Sequence, residues 1–151
     1  MTNQTENPLL IASYEILEGT ACAAPYVDCS ISMLIGRNPP AQVKFKARVD
    51  TGADVSCVPQ HIAEPYMKDV LLGRPISIRL GGSGATKRVK TMLFMVTLHC
   101  DDDNHQSFRP ERGVLITNSP IGLLGMDILR RLDVRFHNDQ VYIYPNQNGG
   151  E

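Results

Sequence analysis

Long stretches of the chain alternate between apolar and polar residues with period two. In "YVDCSISMLI", Val27, Cys29, Ile31, Met33 and Ile35 alternate with Asp28, Ser30 and Ser32, the pattern of a half-buried strand. The alternation is clearest in "VKFKARVD", where Val43, Phe45, Ala47 and Val49 face one way and Lys44, Lys46 and Arg48 the other. That strand runs directly into Asp50. "RPISIRL" and "KRVKTMLFMVTLHC" bracket "GGSGA" and predict a hairpin with little side-chain bulk at its tip. "DDDNHQ" reads as a solvated turn, "GVLITNS" as a short strand, and "VRFHNDQVYIY" as a hairpin turning at residues 137–140. A short helical turn in "QHIAEPYMK" is limited by Pro65. The best helix is "GLLGMDILRRL", with Leu124, Ile128 and Leu132 at fourfold spacing and Arg130 and Arg131 at its C-terminal end. Six or seven short strands and one helix make a mostly-β barrel or sandwich. Residues 1–24 read as a polar leader or packed arm, 25–145 as the domain, and 146–151 as a tail.

Composition narrows the function. With 151 residues, the chain suits one domain, and 42% apolar residues suffice for a core. A formal net charge of -1 gives no global field toward nucleic acid or anionic membrane, so neither is expected as a partner. No apolar run approaches a membrane span, and the first residues lack the basic region of a secretory signal. Cys22, Cys29, Cys57 and Cys100 have no CxxC core and, with no export signal, are expected as reduced thiols in the cytoplasm. No metal or other cofactor is expected. "GGSGATK" fails the phosphate-loop pattern because Thr86, not glycine, precedes Lys87, and Ala85 breaks the nucleophile-elbow pattern. "DDDNHQ" lacks the spacing and terminal Glu of a calcium loop.

Asp50-Thr51-Gly52-Ala53 remains. Glycine after the hydroxyl residue lets the backbone approach closely, so its N–H can hydrogen-bond a carboxylate. Two such turns brought together would hold two carboxylates about 3 Å apart. Such a pair shares one proton and offers an acid and a base at once. One member then deprotonates water while the other polarises a carbonyl.

"VDTGADVSCVP" resembles the active-site strand and turn of the retropepsin-like aspartic proteases. About thirty residues on, "RPISIRLGGSGATKRVK" resembles their flap, and "GVLITNSPIGLLGMDILRRLDVRF" their closing segment, with Leu123-Leu124-Gly125 as its apolar-apolar-glycine triplet. The order fits across residues 25–145, and "LLGMDILRR" is closer to the cellular and bacterial branch than to the viral enzymes. The resemblance implies a small acid-protease closed barrel with a flap and one short helix, acting as an endopeptidase on peptide or protein substrates. It implies Asp50 as the catalytic aspartate, Thr51 as the residue joining two facing turns, and Gly52 and Ala53 against substrate. Asp54 would hold the peptide main chain, and Gly81, Gly82, Ser83 and Gly84 would form the flap tip. Asp127 is expected to cap its own helix. With no second Asp-Thr-Gly, the missing half of the site implies a homodimer. The viral pattern often carries Arg after the glycine of the closing segment, where this chain has Met126. Two alternatives share the fold: a catalytically silent module that binds a peptide as an added strand, and an excised retroelement protease domain.

Overall fold

A computed structural model describes residues 7–35, 42–79 and 84–146. The strands are β1 (Leu10–Glu15), β2 (Ala24–Met33), β3 (Phe45–Val49), β4 (Cys57–Pro59), β5 (Ile76–Arg79) and β6 (Thr86–Val89). They continue with β7 (Phe94–His99), β8 (His105–Phe108), β9 (Leu115–Thr117), β10 (Gly122–Leu124), β11 (Leu132–His137) and β12 (Gln140–Pro145). Two one-turn helices, α1 (Gln60–Ala63) and α2 (Met126–Leu129), complete the elements, with 3-10 turns over Glu64–Tyr66, which holds Pro65 in its first turn, and Asp101–Asp103. Strands exceed the expected number because β1 forms in the predicted leader or arm, the second hairpin arm divides into β6 and β7, and β4, β8 and β10 have only three or four residues each, too few to show a period.

One ten-stranded sheet runs β11-β12-β1-β2-β3-β10-β4-β9, and β7 and β8 extend it from β2; β5 and β6 form a separate hairpin. The predicted inward residues Phe45, Ala47 and Val49 are buried while Lys46 and Arg48 are exposed. Val43 lies ahead of the strand and is exposed, as is Ile35 beyond the end of β2. In the N-terminal segment, β1 lies antiparallel between β12 and β2 and buries Leu10 and Ala12. It is a packed arm.

Two departures from the sequence pattern have physical causes. Ser30 and Thr97 belong to the polar face of their strands, yet both are buried. Hydrogen bonding satisfies them there: Ser30 Oγ lies 2.8 Å from His99 Nε2, and Thr97 Oγ1 lies 2.9 Å from Ser107 Oγ. Burial, with Lys44 and His105 nearby, lowers the His99 pKa against the opposing charge of Asp28.

The predicted helix is present but confined to the four residues of α2, and the rest of 122–132 is strand on either side of it. Residues 122–124 are held on both edges, parallel to β3 and antiparallel to β4, so the ladder overrides the fourfold spacing. The spacing of Leu124 and Ile128 reflects a shared core, in which they are 1% and 0% exposed. Among the described residues no helix is long and apolar enough to cross a membrane.

Candidate active site

β3 delivers Asp50 to a turn that β10 holds from the side. Pairing of Val49 with Leu124 continues as a hydrogen bond from Asp50 N–H to the Leu124 carbonyl at 3.0 Å. The turn closes when Ala53 N–H donates to the Asp50 carbonyl at 3.2 Å. Gly52 N–H then donates to the Asp50 carboxylate at 2.9 Å, the close approach expected of glycine here. A Cβ on Gly52 would stand 3.2 Å from that oxygen. Asp50 is half-buried, and Thr51, Gly52 and Asp54 are exposed. The Thr51 hydroxyl has no hydrogen-bond partner among the described residues, so it is free to meet a group outside the chain.

The closing segment is laced to this turn by backbone and side chain together. Met126 N–H donates to the Ala53 carbonyl at 2.7 Å. A Cβ on Gly125 would come within 2.8 Å of the Ala53 carbonyl and 3.0 Å of the Val55 backbone, so the two segments cross where only glycine fits. At Gly122 the same construction meets the Cys57 carbonyl at 2.6 Å and the Phe45 ring at 2.8 Å.

Asp127 sits in the first turn of α2, as expected, but makes no side-chain cap there. Its carboxylate reaches back to residue 56, accepting Ser56 N–H at 3.0 Å and Ser56 Oγ–H at 2.6 Å. Ser56 Oγ in turn accepts Gly125 N–H at 2.9 Å. No local pattern marks this clamp, since its members are 71 residues apart. Cys57 adjoins it, and burial, then the Asp127 and Asp50 charges, push its thiol up to about 11. It stays protonated and weakly nucleophilic at neutral pH.

Gly52, Ala53 and Asp54 line a cleft of about 1420 Å³, with Ile76 and Ile78 of β5 and Gly84 beyond them. The structure thus brings the Asp50 turn and the β5–β6 hairpin to one cleft, as the sequence order suggested. Asp50 borders this cleft through Gly52 and is not itself part of the single-chain wall. Gly84 has φ +68°, a conformation that favours glycine. Gly81, Gly82 and Ser83 lie outside the described residues. Glu111 and Arg112 also line the cleft, where the Arg112 carbonyl packs against Gly73; no sequence pattern marks them.

A sheet-built aspartate turn, a closing segment crossing it at glycine, and a hairpin beside the cleft define the retropepsin-like class. The profile of the family described as retroviral aspartyl protease matches residues 21–137, and the chain belongs to that family. Among solved structures it is similar to a retropepsin-like aspartic protease from Rickettsia conorii, with 18% identity, 91% of each chain covered and a TM-score of 0.50. It also matches EIAV protease complexed with the inhibitor HBY-793, at 22% identity over 77% of this chain and 92% of that one, with a TM-score of 0.40. No curated protein matches the chain.

Proposed function

We propose that the protein is an aspartic endopeptidase, active as a homodimer in which two Asp50 carboxylates share one proton. The observation that carries this reading is the fixed turn. One Asp50 oxygen is held by Gly52 N–H, at the border of a cleft large enough for a peptide. The sequence supplies one Asp-Thr-Gly per chain, so a second copy completes the dyad.

In the cycle, the ionised Asp50 takes a proton from water as its oxygen adds to the scissile carbonyl carbon. The protonated Asp50 donates its proton to the carbonyl oxygen, giving a neutral gem-diol. Collapse of that species breaks the C–N bond as the first Asp50 gives its proton to the leaving amine and the second Asp50 takes one from a gem-diol hydroxyl, which restores the shared proton. No bond forms between enzyme and substrate. The reading assigns Thr51 to the contact between the two turns, and Gly52, Ala53 and Asp54 to the peptide main chain. It gives the tip residues Gly81, Gly82, Ser83 and Gly84 backbone contacts from above the peptide.

A mass-spectrometric profile of peptide-library cleavage tests the activity; a protein that binds peptides yet never cuts them from acid to neutral pH would leave only a binding module. Dilution tests the assembly. Specific activity should fall in proportion to enzyme concentration below the dimer dissociation constant, so that rate follows concentration squared. Constant specific activity over a range where sedimentation shows only monomer would rule out the shared dyad.

A further inference from the structure

We infer that the cleft selects peptide segments carrying carboxylate side chains beside the scissile bond, a substrate class read from charge; this rests on the protease reading above. Residues 74–90 contain Arg74, Arg79, Lys87, Arg88 and Lys90 and no acidic residue, in a chain whose formal net charge is -1. The hairpin therefore concentrates positive charge that the rest of the chain does not share.

Arg74, Arg79 and Arg112 all line the cleft, and the Arg112 carbonyl lies close against Gly73, the neighbour of Arg74. Two carboxylates, Asp54 and Glu111, also line it, leaving the wall with an excess of positive charge. None of these opposite charges is paired with another among the described residues. The ion pairs among the described residues are Lys46–Asp28 and Arg135–Asp133, both away from the cleft. Arg74, Arg79 and Arg112 are exposed residues, and none forms an ion pair among the described residues.

Guanidinium presents a planar fork of donors that matches a carboxylate. Between the cations the cleft is apolar, with Ile76 and Ile78 half-buried and Leu72 60% exposed at the rim. The surface thus fits an extended segment with an apolar side chain flanked by Asp or Glu. Such a segment would neutralise the wall where a lysine-rich one would be repelled. Exposed pairs are individually weak, so the expected discrimination is about three- to tenfold, not absolute.

The test compares matched peptides, each Glu or Asp variant against its Gln or Asn isostere. Binding is read by fluorescence anisotropy with the Asp50→Asn protein, and cleavage by initial rates with the parent. The acidic peptide should bind about three- to tenfold more tightly, and the ratio should shrink toward one at about 0.5 M salt, where the Debye length falls well below 10 Å. The triple variant Arg74→Gln, Arg79→Gln, Arg112→Gln should abolish the ratio while thermal unfolding stays that of the parent. Equal binding of acidic and amide peptides, or a preference that survives the triple variant, overturns the inference. So does an outcome in which single-stranded oligonucleotide binds through these arginines and acidic peptides do not. Because binding is measured without turnover, loss of the charge preference and absence of cleavage are separate results.

Discussion

Replacing Asp50 with asparagine should lower peptide cleavage by about 10²–10⁴-fold, the range attributed to positioned acid–base groups. The fold should be kept. Asn retains a side-chain oxygen able to accept Gly52 N–H, now at 2.9 Å from the carboxylate, and the backbone bonds from Asp50 to Leu124 and Ala53 do not involve the side chain. Thermal unfolding should therefore shift by no more than the roughly ±0.5 kcal/mol of a surface change. Both measurements are needed, since a collapse in stability would explain lost activity without chemistry. A variant that cleaves at the parent rate would end the dyad mechanism. Chelators and thiol reagents should leave the parent rate unchanged, the latter because Cys57 is held as the neutral thiol.

The second large effect is expected at Asp127. Its carboxylate accepts both Ser56 N–H and Ser56 Oγ–H, and Ser56 is only 2% exposed. Asp127→Ala leaves the Ser56 amide facing no acceptor, because a backbone N–H cannot turn away as a hydroxyl can. Hydrogen bonds to charged groups contribute roughly 1.5–3 kcal/mol, and an orphaned buried donor loses a similar amount, so a loss of about 3 kcal/mol is expected on denaturant unfolding. Activity measured well below the unfolding transition should fall too, since Ser56 Oγ also orients Gly125 beside the Ala53 carbonyl. Asp127→Asn keeps one acceptor but sets an amide donor against another, and should recover roughly half the stability. Parent-like stability in Asp127→Ala would show that the clamp is dispensable.

Much of this arrangement was legible because its signals are local. The alternation before Asp50, the paired arms around "GGSGA", and the turn between β11 and β12 each lie within about ten residues, and side-chain period or turn chemistry marks them. The helix formed but is shorter than its period suggested, because a local period competed with pairing partners distant in sequence: Gly122–Leu124 joins β3 and β4, and only tertiary contact reveals it. Asp127 was misjudged for the same reason. Its proximity to a helix start suggested capping, whereas its partner comes from the turn after Asp50. Burial of Ser30 and Thr97 was hidden because β7 and β8 extend the sheet alongside β2 and supply hydrogen-bond partners to polar residues. The cleft arginines carry no period at all; their meaning depends on which wall they share.

The long-range lacing around Asp50 also bears on time. Parallel pairing of β3 with β10, and the bond between Ser56 and Asp127, must each close a loop of about seventy residues, an entropic cost borne before any contact returns free energy. During synthesis the aspartate turn emerges early, yet the residues that shape it emerge only after most of the chain has been made. A nascent chain is thus unable to present an ordered Asp50 turn, and the amides of Asp50, Gly125 and Met126 should be among the last to gain protection from hydrogen exchange during refolding.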